Sequence, residues 1–181
     1  MRIHRTWAMP SHETFSIPPI GDFVRRYLRD SRVSIDVFAR NNRWATYTND
    51  LNSETQAECH EDSETFLLKL RAQGVRADLI LFDPPYSPRQ IKECYDSVGL
   101  KMAQDEALRT AWKKERDVIK GIVRPGGWVL SFGWNSCGMG ITRGFEIAEV
   151  MLVCHGCGHN DTICMAERKT EVSQLEFGGM L

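Results

Sequence analysis

Residues 79–86 read Leu-Ile-Leu-Phe-Asp-Pro-Pro-Tyr, which sets a carboxylate and an aromatic ring close together on a stiffened backbone. The apolar run Leu79 to Phe82 has the length and flanks of a buried strand, and the prolines after it lack the N–H that a sheet ladder needs. Asp83 therefore falls at a strand's carboxyl end, where open α/β sheets form their ligand crevice. Pro84 and Pro85 hold φ at about −65°, so Asp83 and Tyr86 project from a rigid segment. From average residue usage the tetrapeptide arises by chance in on the order of one in a thousand chains of this length, and its place after an apolar strand makes accident rarer still.

This segment resembles motif IV of the amino-methyltransferases, which methylate an exocyclic NH2 on a planar ring with S-adenosylmethionine. The resemblance implies that Asp83, Pro84, Pro85 and Tyr86 are the catalytic group. The lone pair of an aromatic amine is delocalised into its ring. The Asp83 carboxylate and the Pro84 carbonyl can each accept one amino hydrogen, which favours a pyramidal nitrogen with its lone pair free. Tyr86 offers a face for the base to stack on, worth roughly 1–3 kcal/mol at comparable sites.

Strands alternating with helices must position this group. Val33 to Phe38 and Trp44 to Thr48 read as strands, and Thr14 to Ile17 as a short β-like stretch. Ile20 to Leu28 follows two prolines as a helix. Asp62 or Ser63 caps another, ending near Gly74. Leu100 to Val123 is amphipathic and closes on Pro125-Gly126-Gly127. Trp128 to Phe132 is a strand, and Ile147 to Cys154 pairs with Thr162 to Glu167 across a short loop. Such alternation implies a mainly parallel sheet, and the closing pair an antiparallel last strand. The pattern suits an α/β, Rossmann-like class I methyltransferase.

The family resemblance extends to the cofactor motifs. Val33 to Ala39, with Asp36, Phe38 and Ala39, is similar to motif I. Asp50 and Leu51 stand where the family carries an acid for the ribose hydroxyls, although Asn-Asp-Leu-Asn also suits a plain turn. Asp62 and Ser63 resemble motif III, whose acid faces the adenine amino group; Asp62 equally suits a helix cap. Phe15, Ile17 and Pro18 sit where motif X closes over the methionine end. Asp83 borders the same cofactor.

Motif I departs from the family. After Ala39 the chain reads Arg40-Asn41-Asn42-Arg43 without a glycine. Asn41 and Asn42 tolerate the left-handed backbone best and are the expected substitutes. About five residues join the first two strands, spanning roughly 17–20 Å when extended. A parallel crossover normally takes a dozen or more, so the first crossover helix should be missing.

On the far side, Trp134 follows the fifth strand as a candidate second wall. His155, His159 and Asn160 lie in the loop between the last two strands, where the target base would be met from the side opposite Tyr86. Cys154, His155, Cys157 and His159 supply zinc-ligand types, but they crowd into six positions, whereas structural zinc sites draw ligand pairs from separated turns; no metal is expected. Ser87 to Gly99 is the one insertion beyond the frame, leaving Arg89, Gln90 and Lys92 as DNA-facing side chains for a target of few bases.

The 181 residues suit one domain, 1–181, with no separate target-recognition domain. No signal peptide or membrane span is evident, which points to the cytoplasm, with free thiols. The net charge of −1 excludes a strongly basic nucleic-acid binder and leaves local clusters, Arg25 to Arg32 and Lys113 to Lys120. The resemblance implies an S-adenosylmethionine-dependent DNA adenine N6-methyltransferase like the small orphan enzymes of phages and prophages. It would act on a flipped base and lean on a recognition partner or a homodimer. The alternatives are RNA or cytosine-N4 methylation, or a nucleic-acid-binding module that has lost turnover.

Overall fold

The computed structural model describes residues 1–100, 112–156 and 158–171. Its sheet has seven strands: β1 (Arg2–Trp7), β2 (Ser34–Asp36), β3 (Tyr47–Thr48), β4 (Ala77–Phe82), β5 (Val123–Gly133), β6 (Phe145–Cys154) and β7 (Thr162–Lys169). They lie in the order β1-β6-β7-β5-β4-β2-β3. β7 runs antiparallel to both β5 and β6, and every other pairing is parallel. This is the Rossmann-like sheet with a reversed last strand that the sequence implies.

Helices α1 (Pro18–Leu28), α2 (Ser63–Ala72), α3 (Pro88–Ser97) and α4 (Lys113–Ile122) flank it. Strand alternation splits the core in two. Leu79 and Leu81 meet Phe23 and Val24 of α1, while Ile80 and Phe82 meet Phe66 and Leu67 of α2 and Ile119 of α4. β4, buried on both faces, thus reads as a continuous apolar run.

Between β2 and β3 the chain forms turns and no helix, so the first crossover helix is indeed absent. Several expected elements differ. Thr14–Ser16 is a helical turn, not a strand. The strand expected over Trp44 to Thr48 shrinks to β3, since the preceding residues are spent on the crossover. Of the long helix expected over Leu100 to Val123, α4 covers Lys113–Ile122 and is preceded by Trp112 in a left-handed backbone, φ +44°; residues 101–111 of that expectation lie outside the described residues. The supposed insertion Ser87 to Gly99 is mostly α3, with Ser87 Oγ accepting the Gln90 N–H at its start and Pro88 in the first turn. β1 was not foreseen.

Two buried carboxylates tie loops and helices to the sheet. Glu167 on β7 accepts the N–H groups of Met139 (2.7 Å) and Gly140 (2.9 Å). A Cβ at Gly138 would stand 2.0 Å from its oxygen, so only glycine fits that approach. Glu149 on β6 accepts two bonds from Arg26, 3.0 and 2.9 Å, and one from the Tyr27 hydroxyl, 2.9 Å, anchoring α1. Burial alone would raise the Glu149 carboxyl, but these bonds hold it below the ordinary glutamate value of 4.5.

Glu149→Gln should therefore destabilise the protein by about 1.5–3 kcal/mol at neutral pH. A depressed carboxyl stabilises the fold above its unfolded pKa and loses that contribution as pH falls through the folded value. Chemical denaturation of both proteins should converge in acid; a gap that persists unchanged into acid would contradict the assignment.

Candidate active site

The carboxyl ends of β1 to β6 all point to one edge of the sheet, and strand order reverses between β2 and β4, the crevice position of open α/β sheets. A cleft of about 870 Å³ opens there. Asp83, Pro84, Pro85 and Tyr86 line its middle. Ile17, Phe38, Asp50, Leu51, Asp62 and Ser63 line the side expected to face the cofactor, and Gln90, Trp134, His155, His159 and Asn160 also reach it.

The Asp83–Tyr86 corner is braced internally. The Tyr86 hydroxyl donates to the Asp83 carboxylate. The Tyr86 N–H donates to Gln90 Oε1 at 2.7 Å. Burial pushes the Asp83 carboxyl up from its ordinary value, while bonds from Thr14 and Tyr86 pull it back. The Tyr86 phenol is raised well above its usual range by burial and by the Asp83 charge, so it stays a neutral donor. Trp134, partly exposed, meets the Tyr86 ring edge-on, with centroids 5.5 Å apart.

On the other flank, Asp50 Oδ2 accepts the Arg40 N–H at 3.1 Å and Oδ1 the Asn52 N–H at 2.9 Å. Each oxygen keeps a lone pair, so the turn role and a ligand role coexist. Phe38 is at once core and wall: its ring lies edge-on to Phe82 (5.5 Å) and Trp112 (5.2 Å) and lines the cleft. Asp62 caps α2 by accepting the Glu64 N–H at 3.1 Å, and its other oxygen accepts the Tyr95 hydroxyl of α3 at 3.3 Å. The Ser63 hydroxyl is turned to buried Glu115, 3.1 Å away.

Some expected residues stand apart. Asp36 is fully buried behind the cleft; burial and the nearby Asp83 charge push its carboxyl well above the usual carboxylate range, and its Oδ2 lacks a hydrogen-bond partner among the described residues. Ala39 is buried and bonds to the Asn49 carbonyl. Phe15 packs against Trp44 and Phe132, and Pro18 is exposed at the start of α1. Arg89 and Lys92 lie on the outer face of α3, paired with Glu93 (2.8 Å) and Asp96 (2.5 Å). Gln90 lines the cleft, with its amide oxygen accepting the Tyr86 N–H. Both ring nitrogens of buried His155 are also engaged, with the Ala8 carbonyl (2.8 Å) and Thr162 Oγ1 (2.9 Å). Cys154 Sγ accepts from Arg5 Nε at 3.0 Å, and Cys157 lies outside the described residues.

Sequence reasoning missed Thr14, although it lies beside the motif X segment, and Asn49, although it adjoins Asp50. The Asn49 amide bonds to the Val37 carbonyl (3.3 Å) and to both backbone groups of Glu61 (3.0 Å each), tying the β2 and β3 ends to the approach to α2. The glycine substitute was also misplaced. Arg40, not Asn41 or Asn42, takes the left-handed backbone, φ +50°. The asparagines are used otherwise: Asn42 Oδ1 accepts the Trp44 N–H and Asn41 Oδ1 the Gln56 N–H. Arg40 is held by its own guanidinium, which reaches the His12 carbonyl at 2.5 Å and the Glu13 carboxylate at 3.7 Å.

No family model and no curated protein matches this sequence. Solved structures match its fold. TrmN from Thermus thermophilus superposes with a TM-score of 0.55 at 13% identity, over 84% of this chain and 49% of that one. NSun6 from Pyrococcus horikoshii, solved with SFG, gives 0.54 at 16%, over 81% and 50%. The 1,6-didemethyltoxoflavin-N1-methyltransferase of Burkholderia thailandensis, solved with its namesake compound and S-adenosylhomocysteine, gives 0.53 at 13%, over 88% and 80%. The chain thus has the methyltransferase fold. It spans about half the length of the first two of these proteins.

Arg40→Gly should relieve roughly 1–2 kcal/mol of left-handed strain and lose the bonds to residues 12 and 13. The expected result is a melting temperature close to that of the parent, with faster amide exchange over residues 11–14. A large fall in melting temperature would show that the guanidinium contacts outweigh the strain.

Proposed function

We propose that this chain transfers a methyl group from S-adenosylmethionine to the exocyclic N6 of adenine in DNA. The observation that carries the reading is the braced Asp83–Tyr86 corner, set at the sheet's switch point in one cleft with Asp50, Phe38 and Asp62. The cleft volume of about 870 Å³ lies within the range of roughly 300–1,000 Å³ typical of small-molecule sites. The fold matched above, solved with S-adenosylhomocysteine or SFG in other proteins, supports the choice of cofactor.

The donor set fits such a cofactor. Asp50 retains acceptor capacity for a pair of ribose hydroxyls, Phe38 offers an apolar wall, and Asp62 offers a carboxylate to an adenine amino group. When bound, S-adenosylmethionine supplies an electrophilic methyl group. The chain's own residues do the rest. Tyr86 offers a face to a planar base while Trp134 rests against the Tyr86 ring edge-on, and Asp83 Oδ and the Pro84 carbonyl accept the amino hydrogens of that base. Withdrawing those hydrogens from the ring plane frees the nitrogen lone pair for attack. Gln90 and Thr14 position the corner without touching the reacting atoms. Neither a metal nor a covalent enzyme intermediate is required.

The same reading assigns residues 1–181 to one methyltransferase domain acting in the cytoplasm, with DNA as partner. Among the described residues no helix is long and apolar enough to cross a membrane.

Asp83→Ala should abolish methyl transfer while leaving the circular dichroism spectrum intact. Retained transfer by the folded variant would overturn the assignment. Asp83 accepts hydrogens most strongly when ionised, and burial lifts its carboxyl above 3.8, so the rate should fall as pH drops through that raised value. Tyr86→Phe keeps the stacking face but removes a donor that lowers the carboxyl. Its acid limb should therefore move to higher pH, and a pH–rate profile identical to the parent's would contradict the bracing role.

A further inference from the structure

The cleft wall is acidic. Asp50, Glu54, Glu61, Asp62, Asp83 and Glu93 line it, and among the described residues Arg40 is the one Lys or Arg that does. A base can enter such a cleft, but its phosphates are repelled from it. Nor does α3 supply a net charge, because Arg89 and Lys92 are each neutralised by a neighbour. A nucleic-acid strand must therefore be gripped outside the cleft.

β1 has the required chemistry. It is the terminal strand of the sheet, paired with β6 alone, so its outer side has no strand partner among the described residues. Ile3, Arg5 and Trp7 share one face by strand alternation. Trp7 is 63% exposed, and Met9, just beyond the strand, 65%. Arg5 donates to the Cys154 thiol and feels the charge of Asp161, but it closes no salt bridge with a described residue. The Trp7 indole nitrogen lies 3.5 Å from where a Cβ on Gly156 would stand. The ring thus rests beside the loop that brings His155, His159 and Asn160 to the cleft. From Trp7 the chain passes through Met9 to Pro10 and His12, which line the cleft itself.

We infer, resting on the methyl-transfer reading above, that Arg5, Trp7 and Met9 form a platform for unpaired nucleotides flanking the target base. Trp7 stacks a neighbouring base and Arg5 pairs with a phosphate. Stacking on an exposed indole is sequence-tolerant, so this grip holds a strand without reading a long site.

The test is fluorescence anisotropy with labelled single-stranded DNA and RNA of about 12 nucleotides carrying a central adenine, within the usual footprint of such platforms. It is paired with methyl transfer to the same strands. Trp7→Ala should weaken oligonucleotide binding about tenfold or more, and Trp7→Phe should retain most of it. Arg5→Gln should reduce the slope of log affinity against log salt by about one, an effect that a merely structural role would not produce. Calorimetric titration with S-adenosylmethionine checks that each variant is folded. The DNA and RNA arms show which backbone is held. If the parent methylates a strand and Trp7→Ala binds and methylates it equally well, the platform is overturned and the methyl-transfer reading stands. If the parent methylates neither strand, the methyl-transfer reading falls and the platform with it. Dissolution of a dimer by Trp7→Ala, with oligonucleotide affinity unchanged, would make the edge an interface between copies and also overturn the proposal.

Discussion

Pairing of Asp36 with Leu81 across the parallel β2–β4 ladder sets the distance between the two halves of the site. One residue past Leu81 the strand ends, and the prolines turn Asp83 and Tyr86 over the sheet edge. One residue past Asp36 the chain leaves β2, donating the Val37 N–H to the Leu81 carbonyl at 3.3 Å, and enters the helix-free crossover. A slip of one residue in this ladder would exchange the two faces of β2 and separate Phe38 from the Asp83 corner. Both strands are buried on both faces, which specifies the register through packing.

Carboxylates accumulate at this edge, and their partners decide what each can do. Asp36, with one oxygen unpartnered among the described residues, is driven toward its neutral form by burial and by the Asp83 charge. Asp83, half-buried, is desolvated too, yet it receives donors from Thr14 and Tyr86, which favour the ionised acceptor that the proposed chemistry needs. Asp50 and Asp62 hold backbone N–H groups and so double as parts of the scaffold. The acidity of the cleft has a consequence for recognition: it admits an amine-bearing ring more readily than a polyanion. In the proposed reading the grip on a strand then falls to the rim.

The parts of the structure legible in the sequence are those with local causes. Leu79 to Phe82 announces itself because an apolar run ends on two prolines. The missing helix follows from counting residues between two strands. Asp62 declares its cap role through its place before a helix. What escaped depends on partners far along the chain. Residues 2–7 mix polar and apolar side chains, exposed or half-buried at the sheet edge, and become a strand only because β6 offers a ladder. Ser87-Pro88 carried a legible helix start, but the reading as an insertion took precedence. Gln90 was assigned from its type alone, which did not show that its amide oxygen would accept the Tyr86 N–H. Arg40 took the left-handed position from two asparagines because its long side chain finds the His12 carbonyl.

The proposed chemistry is methyl transfer from S-adenosylmethionine to an adenine amino group. Incubating the purified chain with labelled cofactor and with DNA and RNA side by side, then identifying the labelled nucleoside, tests it most directly. The expected product is N6-methyladenine in DNA, formed only while Asp83 is intact. Label on a ring carbon or on protein, or a chain that binds no S-adenosylmethionine at all, would contradict it.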